Sequence, residues 1–137
     1  MVKKTFTFIN HNGQEVTETH YFDLNESEVI EMELTTEGGL QDTIKKITDA
    51  KSSPELFKLF KEFVLKCHGE KSADGNYFYK SEETRHKFAC SIPYNMLVVE
   101  FLKDTNAAIK FFNEVIPKGS LNANNTANTT AIPAATN

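Results

Sequence analysis

The chain has 137 residues, 39% of them apolar and 25% charged, a composition that suits one soluble globular domain with a core of its own. A net charge of −4 and a pI of about 5.6 leave no basic footprint for nucleic acid, and no apolar run approaches the ~20 residues of a membrane-spanning helix. Two cysteines, Cys67 and Cys90, make no disulfide framework, and no secretion signal opens the chain, so a cytosolic protein with free thiols is expected.

Residues 2–10 and 15–23 alternate β-branched and aromatic residues with polar ones around His11-Asn-Gly-Gln. Asn12-Gly13 predicts a hairpin with a two-residue loop, which sets Ile9 opposite Val16 and Phe8 opposite Thr17. One face then carries Phe6, Phe8, Thr17, Thr19 and Tyr21 and is expected to pack on helices. The other carries Ile9, Val16, Glu18, His20 and Phe22.

Residues 25–50 read as two short helices joined at Gly38-Gly39. Asn25 and Glu28 have the spacing of a capping box, and Leu24 and Val29 that of a hydrophobic staple. Gly38 suits a left-handed C′ position, and Leu40, Ile44 and Ile47 resume an apolar stripe. A third helix starts with Ser53 as cap and Pro54 in its first turn, and Gly69 is read as its stop. Leu56, Leu59, Phe60, Phe63, Val64 and Cys67 form its stripe, with Phe57 widening it beside Phe60.

Residues 69–80 read as a polar connector with an Asp74-Gly75 turn and a short Tyr-Phe-Tyr strand or extended piece. Ser81 caps a fourth helix, and Ser91-Ile92-Pro93 breaks it from a fifth at 93–103, apolar around most of its circumference and expected at the centre. Asp104 or Thr105 caps the last helix, lined by Ala108, Phe111, Phe112 and Val115 and ended by Pro117. The fold class is therefore α+β: an N-terminal two-stranded hairpin, then a mostly helical domain of five to six helices within residues 1–117. Residues 118–137, uncharged after Lys118 and rich in Asn, Thr and Ala, read as a disordered tail or linker.

No constellation carries catalysis. There is no phosphate-binding glycine loop and no nucleophile with an activating partner, and the carboxylate pairs lie in helical first turns or on solvated faces. Cys67-His68 with His86 and Cys90 offers four N/S donors, but in no common zinc spacing, and the plainer reading is core cysteines and surface histidines. No enzyme activity, cofactor or metal is expected. The one compositional oddity is eleven Phe and no Trp, and surplus rings mark either a large core or an interaction surface.

Several runs resemble the tail assembly chaperones of long-tailed bacteriophages that infect Gram-positive bacteria. These are Tyr21-Phe-Asp-Leu-Asn, Glu31-Met-Glu-Leu-Thr-Thr-Glu-Gly-Gly-Leu-Gln, Ile44-Lys-Lys-Ile-Thr-Asp-Ala-Lys, the stretch from Phe63 to Gly75, Phe78-Tyr-Lys-Ser, and Phe111-Phe-Asn-Glu-Val-Ile-Pro. The resemblance spans residues 3–118 in order and departs most at 84–95, where Cys90, Ile92 and Pro93 stand in place of a more polar run. It implies a non-enzymatic late protein of the host cytoplasm, absent from the finished virion. Such a protein binds and solubilises the tape measure protein and helps recruit tail tube subunits, in some cases through a ribosomal frameshift product that carries a second domain. The alternative is a structural virion component, a tail-tube or head–tail connector subunit. Leu56, Phe57, Phe60, Phe63, Val64, Phe111 and Phe112 are the residues expected to contact the client or to support self-association.

Overall fold

The computed structural model describes residues 1–35, 38–47 and 54–117, without the side chains of Leu40, Gln41, Thr43, Ile47, Glu55 and Leu56. Strands β1 (Val2–Ile9) and β2 (Glu15–Phe22) form the expected hairpin, but around a longer loop. Asn10 opens it. Its side-chain Oδ1 accepts from the N–H groups of Asn12 and Gln14, both at 2.9 Å. Its backbone N–H donates to the Gln14 carbonyl at 2.8 Å, and the Gly13 N–H donates back to the Asn10 carbonyl at 3.0 Å. Gly13 closes this three-residue loop at φ +79°, where only a residue without Cβ sits easily.

The added loop residue moves the register by one, so that Ile9 faces Glu15, Phe8 faces Val16 and Val2 faces Phe22. A one-residue slip exchanges the faces of one strand relative to the other. Phe6 and Phe8 do turn toward the helices, but the β2 residues beside them are Val16, Glu18, His20 and Phe22. Thr17 and Thr19, expected on the packing face, lie outside, where their hydroxyls meet those of Thr7 and Thr5 at 2.9 and 3.1 Å.

Helix α1 (Glu26–Thr35) starts as its sequence dictates. The Asn25 N–H donates to Glu28 Oε1 at 2.9 Å, and the Glu28 N–H donates to Asn25 Oδ1 at 2.8 Å. Leu24 and Val29, the staple pair, are both buried. Gly38 and Gly39 both take φ +82° and lead into α2 (Gly39–Ile47), which buries Ile44. Helix α3 (Pro54–Cys67) begins on its proline, while Ser53 lies outside the described residues.

Gly69 does not end that helix. The chain passes from Cys67 directly into strand β3 (His68–Lys71), which pairs with β2 and with β4 (Phe78–Tyr79) to give a four-stranded antiparallel sheet in the order β1-β2-β3-β4. Gly69 is there for close approach: a Cβ on it would lie 2.7 Å from the Phe78 ring and 2.9 Å from the Tyr79 carbonyl. Within the connector read over 69–80, the Tyr-Phe-Tyr piece supplies β4 as a strand, whereas β3 and the tight loop between them take the place of a plain polar link. In that loop the Asp74-Gly75 turn forms as expected, with Gly75 at φ +80°.

Helices α4 (Glu82–Ala89), α5 (Ile92–Lys103) and α6 (Thr105–Val115) follow with every start capped. The Ser81 and Thr84 side chains close a reciprocal box, and the Ser91 hydroxyl accepts the Tyr94 N–H at 3.1 Å. Asp104 both ends α5, its N–H donating to the Glu100 carbonyl, and starts α6 by accepting the Ala107 N–H at 3.1 Å. Helix α5 is less enclosed than its composition suggests. Leu97, Val98 and Phe101 are buried, whereas Val99 is exposed and Tyr94, Met96 and Leu102 are half-covered.

Aromatic rings join α3, α5 and α6 in the core. The Phe63 and Phe112 rings stack at 4.6 Å, Phe60 meets Phe112 edge-on at 5.9 Å, and Phe101 of α5 meets Phe111 at 4.9 Å. Phe112→Ala should therefore lower unfolding free energy in urea by about 3–5 kcal/mol, whereas Phe57→Ala, at the half-open edge of the stripe, should cost about 1 kcal/mol.

Candidate functional site

Strands β2 and β3 pair at only two positions, Tyr21 with Gly69 and Phe22 with His68. Beyond Gly69, β3 turns to β4, with Glu70 opposite Tyr79 and Lys71 opposite Phe78. The divergence opens a cleft of about 430 Å³, walled by β2, β3 and the first and last turns of α4. A smaller cavity of about 200 Å³ lies behind it, and His68 borders both.

His68 is the only buried polar side chain among the described residues. Its ring stacks on Phe88 at 3.8 Å and meets Phe22 edge-on at 5.4 Å. A chain of hydrogen bonds runs outward from it: His68 Nε2 to His20 Nδ1 at 3.0 Å, then His20 Nε2 to Glu18 Oε1 at 3.0 Å. With His20 Nε2 donating to the carboxylate, His20 Nδ1 accepts and His68 Nε2 donates. His68 Nδ1 is then a buried acceptor, and it has no partner. Burial, followed by the facing His20 and the Lys80 ammonium, pushes the His68 pKa from an ordinary 6.5 down to about 4, so the ring is neutral at pH 7.

The chain of bonds leads to no nucleophile. The Ser91 hydroxyl, on the cleft wall, is committed to the Phe88 carbonyl at 2.6 Å and the Tyr94 N–H. Cys67 is enclosed, and burial holds its thiol well above the usual range. Cys90 is exposed and meets only His86, at 3.7 Å. Of the four N/S donors weighed as a zinc set, His86 and Cys90 lie together while Cys67 and His68 are buried elsewhere, and among the described residues no group of three or more such ligands converges.

The ring stripes expected to meet a partner are also placed. Phe60, Phe63, Val64, Phe111 and Phe112 are core residues that touch one another, so in this conformation they offer no surface. Phe57 is half-buried, stacked on Phe60 with the Lys61 ammonium 4.8 Å from its ring centre, and the Leu56 side chain lies outside the description. Among the described residues, the exposed large apolar side chains on helices are Ile30 and Leu34 of α1, Leu59 of α3 and Val99 of α5. Ile30 and Leu34, 54% and 81% exposed, sit four residues apart and so share one solvent face. Sequence reasoning passed over them, though a signal was there. At about 100° per residue, Val29 and Met32 fall on one side of α1 and Ile30 and Leu34 on the other, one stripe more than the core needs.

Apolar side chains on a helix and a sheet with open strand backbone are features through which proteins bind other proteins. The model of one protein family, described as phage tail assembly chaperone, matches residues 1–135, and the chain belongs to that family. No curated protein and no solved structure matches it significantly.

Because His68 titrates near 4 when folded and near 6.5 when unfolded, the unfolded chain binds the extra proton. Its contribution to stability is full above pH 6.5 and is lost as pH falls toward 4, by about 1.4 kcal/mol per unit of pKa difference. Urea unfolding at pH 7.5 and 4.5 should show this loss in the wild type, and His68→Phe, which keeps the stack on Phe88, should flatten the profile.

Proposed function

We propose that this chaperone binds the tape measure protein of its phage, keeps it soluble, and helps bring tail tube subunits to it during tail assembly. Membership of the tail assembly chaperone family carries the reading. A tape measure protein is a long helical client whose apolar faces aggregate unless covered. An exposed pair of large apolar residues on a well-capped helix is a natural cover for such a face. Helix α1 provides one in Ile30 and Leu34, and Phe57 and Leu59 add partly open apolar surface on α3.

Each contact is small, so affinity would come from many copies along one client. Recruitment of the tube subunit through a longer frameshift product, residence in the host cytoplasm, absence from the mature particle and lack of catalysis belong to the same reading. So does a phage of the long-tailed type that infects Gram-positive cells.

Co-expression with the tape measure protein of the same phage is the direct test. The expected result is a client that stays in the soluble fraction and co-purifies. A client that stays insoluble, or mass spectrometry that finds the chain abundant in purified particles, would overturn the reading. Ile30→Glu with Leu34→Glu should keep the fold, since both side chains face water, yet send the client back to the pellet. If that double variant still solubilises the client, α1 is not the binding face.

A further inference from the structure

Opposed residues in an antiparallel ladder alternate between pairs that exchange N–H···O bonds and pairs that do not. Asn10 and Gln14 continue the register of Ile9 with Glu15 and are bonded at 2.8 Å, so the even-numbered residues of β1 bond to β2. The N–H and C=O groups of Lys3, Thr5, Thr7 and Ile9 therefore point away from the sheet. Strand β1 is the outermost strand, and among the described residues no backbone hydrogen bond outside the ladders and helices reaches these four. The edge is eight residues long and has neither proline nor bulge, two devices that blunt exposed edges, whereas the opposite edge strand, β4, has two residues.

The sequence of this edge complements itself. Bonding outward groups to outward groups sets odd-numbered residues opposite odd-numbered ones, which also keeps the helices of both copies on the same side of the joined sheet. A register centred on Lys4 would oppose lysine to lysine. One centred on Phe6 would leave Met1 and Val2 without partners. Centred on Thr5, the pairing sets Met1 against Ile9 of the second copy and Val2 against Phe8. Met1 and Ile9 are among the exposed large apolar residues, at 55% and 61%, and Val2 and Phe8 are half-buried. Both lysines then face uncharged residues, Lys3 facing Thr7 and Lys4 facing Phe6. Lys4 is in addition neutralised within its own chain by Glu100 at 3.1 Å.

We propose that β1 pairs antiparallel with β1 of a second copy of this chain about a two-fold axis at Thr5, joining two four-stranded sheets into one of eight. The contact is isologous and closed, each copy giving and receiving the same bonds.

Light scattering and sedimentation across a concentration series test it, with the mass expected to rise from 15.5 kDa toward twice that value. Thr5→Pro removes one outward N–H without touching the ladder to β2, and should hold the protein at the single-chain mass with its circular dichroism unchanged. Cysteine pairs read the register directly in a Cys90→Ser background. Thr5→Cys lies against itself, at the ~5.5 Å Cα separation that a disulfide accepts. Lys3→Cys lies some four residues, or about 13 Å, from its own copy and beyond that reach. Mild oxidation should give covalent dimer with Thr5→Cys and not with Lys3→Cys. A single-chain mass at every concentration would overturn the proposal, as would a folded Thr5→Pro that still dimerises, or equal cross-linking of the two cysteine variants. If Thr5→Pro does not fold, the cysteine pair decides.

Discussion

The ring of Phe22 is where the sheet and the helices are locked together. It is fully buried, sits opposite His68 in the two-residue pairing of β2 with β3, and meets His68, Phe88 and Phe111 edge-on at 5.2 to 5.6 Å. One side chain thus fixes β2 against β3, α4 and α6. Edge-to-face contacts are worth about 0.5–1.5 kcal/mol each beyond burial, and their angular preference sets orientation as well as distance. Whether Phe22 faces inward depends on the register of the hairpin. A slip of one residue would carry the ring to the solvent side. The three-residue loop that Asn10 organises is therefore part of the same constraint, although Asn10 lies twelve residues away. Turn chemistry at one end of β2 and aromatic packing at the other specify a single pairing.

Beside that hub the core accepts a cost. His68 could be replaced in shape by a phenyl ring, which would stack on Phe88 without an unpaired nitrogen. A buried polar atom left without a partner costs about 1–3 kcal/mol. What the histidine adds is a fixed direction. Its one bond reaches His20, and His20 reaches Glu18, so the wall of the cleft is held by a row of hydrogen bonds where β2 and β3 no longer pair. On the far side Lys80 has the same holding role. Its ammonium donates to the Asp23 carbonyl at 2.8 Å and to both oxygens of Glu28 at 2.9 Å, while Glu28 also completes the cap of α1. The end of β4 and the start of α1 thus share one carboxylate.

The features legible in the sequence were those whose partners lie within about four residues. The caps at Asn25, Ser81 and Asp104 are local hydrogen bonds between spaced residue types, and all three form, while Ser91, read only as part of a break, caps α5 as well. The hairpin was legible as a hairpin and misread in register, because Asn12-Gly13 and Asn10 compete for the turn and the winner depends on which face must be buried. Strand β3 left almost no trace. His-Gly-Glu-Lys has no alternation and a glycine at its second position, and it is a strand only because β2 and β4 flank it. The surplus of phenylalanine was read as core or interface, and packing settles it for the free chain. Of eleven rings, eight are buried and the other three, Phe8, Phe57 and Phe78, are half-covered. A chain without tryptophan fills its largest spaces with phenyl rings, so composition alone could not separate core from surface, and the apolar pair left open on α1 is aliphatic.

Helix α1 and the free edge of β1 are different surfaces on different elements, and this bears on the proposed covering of a long client by a small domain. Two exposed aliphatic residues give a weak contact. A second contact held at fixed spacing raises the effective concentration of both, without any new chemistry at either. A two-fold pairing through β1 would supply that second contact and then stop. Once two such edges are joined, the edge strand left on each copy among the described residues is β4, two residues long, so the sheet has little backbone with which to continue. The closed symmetry of that pairing would give bivalence and limit growth through the sheet, as the proposed coating of an aggregation-prone client requires.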